Sequence, residues 1–499
     1  MTSLIANLVE MERTRESYWR RYPGTSPVKL HWRALMVRHC FHLLRGESVL
    51  EIGAGSGLWT EHLTREFRSE NHITAAVFND DLAELAEARG LDRTRVVRVA
   101  DLLEDLPAES YDYVVGTAIL CHDRYGENLS AIKRLLKPGG QLLFFEANFW
   151  NPQVLLKNTV PAIGRRTGQA SCQIGMRRYR LLEETSRRGF IEVNAIPYDI
   201  VHPRTPPALI SAVQSTAFVL EHVPGLRDLS GTLYIWAKKP GDETSRRPRV
   251  DLAEHQQLFG STSVVVPCHN EAMNVQVLVR ALLDTYDRYI HEIVLVDDNS
   301  TDNTAQVAAA LARAEPRIKV VTRTSDPGVG RALRDGYRAA TGEYILSMDC
   351  DFAMLVPELR DLFDVIATGR DGAIGSRFSH DSILVNYPVK KIIGNRGFHL
   401  LARLLLRRRM RDISNNLKLY RASNFKEIDI EQPGFAANVE TGLKPLLAGR
   451  DIVEVPISWI NRTPTMGSSS FDLAKVAPGY ARALAHLVWD ARERGGRKR

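Results

Sequence analysis

Short aliphatic and β-branched runs, each followed by a stretch of helical periodicity, occur twice over along this chain. The first series is SVLEIG (48–53), ITAAVF (73–78), RVVRVA (95–100), YDYVVGTA (111–118) and QLLFFEA (141–147), with GTLYIWAKKP (231–240) as a late strand. The second is TSVVVPCHN (262–270), HEIVLVDD (291–298), RIKVVTR (317–323) and EYILSMD (343–349). Apolar strands alternating with helices mark a parallel sheet covered on both faces. The expected fold class is therefore α/β, with two Rossmann-like domains in series.

The 499 residues exceed what one hydrophobic core usually serves. Between the two series lies a charged, Gly- and Pro-containing stretch, so the expected domains are 1–240 and 261–490 with a linker at 241–260. The net charge of +7 is a mild excess that suits phosphorylated ligands or anionic lipid. The basic residues are dispersed without interleaved aromatics, so nucleic acid is not an expected partner. Five scattered cysteines without a CxxC pair suggest neither a disulfide framework nor zinc, and a reducing, cytoplasmic location is the simpler expectation. The N-terminus is broken by charge every few residues, and no apolar run is long enough to span a bilayer.

Residues 49–57 read Val-Leu-Glu-Ile-Gly-Ala-Gly-Ser-Gly, a strand that runs into Gly53, Gly55 and Gly57 and then into a helix. Glycine suits a tight turn where backbone must approach a ligand without an intervening Cβ. A dinucleotide loop wants its third glycine at position 58, where Leu58 stands, so the spacing disfavours NAD. Glu51 at the strand end suits a cationic ligand. Through this loop, Asp101 and Leu136-Lys137-Pro138-Gly139-Gly140, residues 30–238 resemble the class I S-adenosylmethionine-dependent methyltransferases. The resemblance implies that S-adenosylmethionine is the cofactor, that Glu51, Gly53, Gly55 and Gly57 form its site, and that Asp101 contacts the adenine. An acid should end the second strand and hold the ribose, yet Val77 stands there, so either Asp80 reaches back or the cofactor is held less well. His122, in the loop after the fourth strand, is either the proton acceptor beside the methyl group or a residue that packs the loop.

In the second series, one strand ends in Pro267 and a turn closing on Asn270 and Glu271, and the next ends in Asp297 and Asp298. These place acceptor oxygens along the carboxyl edge of a sheet, where open α/β sheets bind nucleotides. Asp349 and Asp351 then form a D-x-D pair of hard oxygen ligands suited to Mg2+ or Mn2+ bridging a diphosphate. With SDPGVGRALRDGYRAATGEYILSMDCDF (325–352), Gly375-Ser376-Arg377-Phe378 and RDISNNLKLY (411–420), residues 261 to about 471 resemble inverting glycosyltransferase family 2, a GT-A fold, in its dolichol-phosphate mannose synthase branch.

That resemblance implies a nucleotide diphosphate sugar donor such as GDP-mannose and a polyprenyl phosphate acceptor. Asp297 and Asp298 would hold base and ribose, and Asp349 and Asp351 the metal and diphosphate. Arg377 would hold a phosphate, with Arg462 and Ser468 closing over the site. The family usually has glycine where Asn416 stands, and asparagine tolerates positive φ, so a left-handed backbone is expected there. An anionic phosphate acceptor needs no general base. A hydroxyl acceptor on a small molecule does, and Asp412 is the candidate.

Residues 399–411 mix leucines with five arginines. They suit either a helix lying in a lipid headgroup layer, giving peripheral contact at the inner face of the membrane, or a core helix ending in arginines. Two whole-chain readings remain: a bifunctional enzyme, or a glycosyltransferase whose methyltransferase-like half is a binding module. In either, the acceptor is a polyprenyl phosphate or a soluble natural product or glycan precursor.

Overall fold

The computed structural model describes residues 4–99, 104–120, 122–241, 249–426, 428–460 and 473–496. The chain divides into two compact units, Met1–Pro248 and Arg249–Arg499.

The first unit is built on seven strands: β1 (Ser48–Ile52), β2 (His72–Val77), β3 (Thr94–Arg98), β4 (Tyr111–Thr117), β5 (Leu136–Ala147), β6 (Ile191–Tyr198) and β7 (Thr232–Lys238). Their order is β3-β2-β1-β4-β5-β7-β6. Strands β1 to β5 are parallel, and β7 runs antiparallel to β5 and β6. Both faces of this sheet are covered, and Leu50, Val114, Leu142 and Ile235, on β1, β4, β5 and β7, are at zero exposure. An N-terminal helix, α1 (Leu4–Arg21), adds Leu8 and Met11 to that core.

The second unit repeats the plan. Strands β8 (Thr262–Cys268), β9 (Ile290–Asp298), β10 (Ile318–Arg323), β11 (Tyr344–Ser347), β12 (Gly372–Ser376), β14 (Lys418–Arg421) and β15 (Ile452–Pro456) are ordered β10-β9-β8-β11-β14-β12-β15. Strand β14 is antiparallel to both β11 and β12. A separate ribbon pairs β13 (Leu384–Val385) with β16 (Trp459–Ile460). In both sheets the chain leaves one central strand in two directions, at β1/β4 and at β8/β11. Such switch points, at the carboxyl edge, are where open α/β sheets take their ligands.

The expected linker is not an exposed connector over its whole length. Residues 249–260 pack on the second unit, with Val250, Leu252 and Leu258 buried and the His255 ring 2.9 Å from Asp364 and 3.1 Å from the Tyr289 hydroxyl. Widely spaced apolar residues suffice to pin a segment whose composition reads as a loop.

Candidate active sites

In the first unit, Gly53, Gly55 and Gly57 all have positive φ, at 69°, 59° and 76°. Glycine takes such values with no Cβ penalty. Glu51 is buried and accepts a 2.7 Å hydrogen bond from Thr60 Oγ1, while burial pushes its carboxyl up to about 7.

Side chains of α1 cover this loop. Glu12, wholly buried, accepts from the backbone N–H of Gly55 (3.1 Å) and of Phe78 (3.1 Å) and from Asn79 Nδ2 (2.6 Å). Glu16 accepts from Ser56 Oγ at 2.6 Å, and the Arg15 guanidinium donates to the carbonyls of Gly53 and Thr117. A Cβ on Gly55 would lie 3.1 Å from Glu16 Oε2. The carboxylate missing at Val77 is thus present at the end of β2, but it comes from α1. The charged residues that broke up the N-terminal sequence are the ones that plug the loop, a role their spacing did not announce.

Asp80 and His122 both have their side chains engaged elsewhere. Asp80 does not reach back; its side chain is 88% exposed and lies 3.6 Å from Arg98. His122 is buried with both ring nitrogens engaged, Nδ1 accepting from Arg124 N–H (3.1 Å) and Nε2 2.9 Å from Asn128 Nδ2. Burial lowers its pKa, and both ring nitrogens find their partners within the same loop and helix. Asp101 lies outside the described residues.

In the second unit, the ends of β8, β9 and β11 bring Pro267, Asn270, Glu271, Asp297, Asp298, Asp349 and Asp351 to one edge of the sheet. Asn270 has φ 57°, and its Oδ1 accepts from the backbone N–H of Thr301 (2.8 Å) and Asp302 (3.3 Å), tying the β8 turn to the β9 turn. Asp298 accepts from Arg323 Nε (2.9 Å) and Gly328 N (2.6 Å), so it anchors the loop before the helix Val329–Ala339. Arg323 was not foreseen, because a strand-end arginine carries no signal by itself. Cys268 and Cys350, scattered in sequence, meet with sulfurs 3.2 Å apart and remain free thiols.

Arg377, at the end of β12, is held by Asp412 through Nε (2.7 Å), an NH2 nitrogen (2.9 Å) and the backbone N–H (2.9 Å). Its guanidinium lies 5.4 Å from the Trp459 ring centroid. Burial alone would push the Asp412 carboxyl up, but the guanidinium outweighs it and holds the group below the usual carboxylate range. A fully buried carboxylate held low by a paired arginine is a poor proton acceptor, and its three hydrogen bonds fix the orientation of Arg377. Asn416 is not in the left-handed region. Its side chain is what the position uses, donating to Asp349 Oδ1 at 2.7 Å. Arg462 and Ser468 lie outside the described residues.

Among the described residues no cluster of three or more His, Cys, Asp or Glu side chains could hold a metal. Two carboxylates one residue apart still fit Mg2+ or Mn2+, which keep several waters and take their other ligands from substrate phosphates.

Two seven-stranded α/β sheets with acid-lined or glycine-lined switch points define a glycosyltransferase fold joined to a methyltransferase fold. The glycosyl transferase family 2 profile matches residues 263–429, and a methyltransferase domain profile matches residues 50–144. The polyprenol monophosphomannose synthase of Mycolicibacterium smegmatis is 30% identical over 213 residues, 40% of this chain and 78% of that protein. The undecaprenyl-phosphate mannosyltransferase of Micrococcus luteus is 28% identical over 204 residues, 40% of this chain and 83% of that protein. Glycosyltransferase AglD of Haloferax volcanii is 27% identical over 256 residues, covering 50% of this chain, which spans 40% of its length. Through its second unit the chain belongs to glycosyl transferase family 2.

Proposed function

We propose that the chain is a bifunctional transferase. Its second unit moves a sugar, mannose or a similar hexose, from a nucleotide diphosphate donor to polyprenyl phosphate with inversion, and its first unit transfers a methyl group from S-adenosylmethionine. The observation that carries the first reading is the D-x-D pair at the end of β11, beside the switch point and on the same edge as Asp297 and Asp298. Two of the relatives are named for mannosyl transfer to polyprenyl phosphates.

Asp349 and Asp351 would hold Mg2+ or Mn2+, whose charge offsets that of the departing diphosphate. Asp412 fixes the plane of Arg377, so the guanidinium meets phosphate without losing rotamer entropy on binding. Asp412 is unsuited to take a proton, which favours an acceptor that is already an anion over a hydroxyl. A phosphate oxygen then attacks the anomeric carbon as the sugar–diphosphate bond breaks, and no proton need be removed.

For a lipid acceptor, the helix Val389–Leu406 supplies a membrane face. Its leucines at 400, 401, 404 and 405 and Ile393 are exposed, while Ile392, His399 and Ala402 pack inward. Arginines 407, 408, 409 and 411 follow at once, suiting an anionic headgroup layer of the inner leaflet. No helix among the described residues is long and apolar enough to cross a membrane.

Incubation with labelled GDP-mannose and polyprenyl phosphate, followed by solvent partition, tests the reading. Label is expected in the organic phase, and Asp351→Ala should remove it while S-adenosylmethionine binding persists. Label confined to the aqueous phase with every nucleotide sugar tried would sink the lipid acceptor. A second reading, a first unit serving only as a binding module, draws on the plugged glycine loop; no detectable S-adenosylmethionine binding at millimolar ligand would leave it standing.

A further inference from the structure

We infer that Asn416 is a positioning residue for the Asp349 carboxylate, the last link of a buried hydrogen-bond chain that starts at Tyr337. This inference rests on the proposed metal and diphosphate role of Asp349. Tyr337 OH donates to Ser347 Oγ (2.9 Å), Ser347 Oγ to Asn416 Oδ1 (2.8 Å), and Asn416 Nδ2 to Asp349 Oδ1 (2.7 Å). Tyr337, Ser347 and Asn416 are at most 2% exposed.

The chain has one polarity. An ionised carboxylate only accepts, so the amide must turn Nδ2 toward Asp349 and Oδ1 toward Ser347. That fixes the serine hydroxyl hydrogen and leaves its oxygen to accept from the phenol. Burial raises the Tyr337 phenol, so it stays a donor throughout the working pH range.

Three separate elements were needed to build the relay. Gly336 lets the helix Val329–Ala339 lie so close to the sheet that a Cβ there would sit 2.4 Å from Val265 Cγ1, which brings Tyr337 against β11. Ser347 ends β11, and Asn416 precedes β14, the antiparallel neighbour of β11. The carboxylate torsion of an aspartate is broad and roughly two-fold when nothing holds it. An amide fixed from behind selects one orientation before a metal arrives. Glycine, the residue the family resemblance leads one to expect at 416, has no side chain to do this.

Outer partners of metal ligands typically contribute about 10- to 100-fold in metal affinity. In the full-length protein, Mn2+ binding read from the free-ion electron paramagnetic resonance signal should weaken by that factor in Asn416→Gly. It should weaken by less, in the same direction, in Ser347→Ala and Tyr337→Phe. Sugar transfer by Asn416→Gly should recover at saturating Mn2+ with kcat restored, a rescue that a merely structural defect would not give.

Asp351→Ala separates the two claims. If wild type binds Mn2+, Asp351→Ala loses it, and Asn416→Gly binds as wild type does, the positioning role fails and the metal site stands. If wild type does not bind Mn2+, both fail together. Should Asn416→Gly not fold, unchanged Mn2+ affinity in both Ser347→Ala and Tyr337→Phe would overturn the relay.

Discussion

Arg377 and Asp412 are joined side by side, Nε to Oδ2 at 2.7 Å and NH2 to Oδ1 at 2.9 Å, with the carboxylate wholly buried. Removing one member of such a buried pair strands the other charge and typically costs about 3–5 kcal/mol. Asp412→Ala should lose stability of that order in chemical denaturation. Asp412→Asn, which keeps the shape, should lower kcat/KM for sugar transfer by about 100-fold, the usual cost of losing one preorganised phosphate or oxyanion contact, without changing the form of the pH–rate profile. Disappearance of an acidic limb in that variant would return Asp412 to proton transfer.

Glu51 gives the first unit a pH signature. Burial raises its folded-state carboxyl to about 7 from an ordinary value near 4.5. Between those values the folded state binds the extra proton, so this contribution to stability is complete below pH 4.5 and is lost as pH rises through 7. Glu51→Gln keeps a partner for Thr60 and cannot ionise. Its melting temperature relative to wild type should therefore rise from pH 5 to pH 8, and a difference that stays flat with pH would contradict the assignment.

Any ligand that takes the Gly53 carbonyl or the Gly55 N–H must displace Arg15 or Glu12 from α1. Arg15→Ala removes one competitor whose charged hydrogen bonds are worth about 1.5–3 kcal/mol each. Calorimetry should find S-adenosylmethionine bound about tenfold more tightly or better. Weaker binding would instead make Arg15 part of the cofactor site.

Leu404 is 66% exposed on the outward face of the helix Val389–Leu406. Full burial of a leucine is worth about 1.5–3 kcal/mol, so Leu404→Glu should cut cosedimentation with phosphatidylglycerol vesicles by about tenfold or more. Equal sedimentation of variant and wild type would leave the exposed leucines without a lipid role.

Strand periodicity and motif spacing were enough to read the two α/β series, the glycine loop and the acids at 297, 298, 349 and 351, because a parallel strand buried on both faces and a turn needing positive φ admit few residue types. The same linear reading offered Asp80 as one route to the ribose and Asp412 as base for a hydroxyl acceptor. It also explained Asn416 by its backbone, since a side chain's partner is invisible when it lies on a distant element. Glu12 reaches Phe78 across 66 positions and Asn416 reaches Asp349 across 67. Which carboxylate stays free to act, and which is spent on a guanidinium or an amide, follows from burial and pairing in a low-dielectric interior, and those exist only once the sheets have closed.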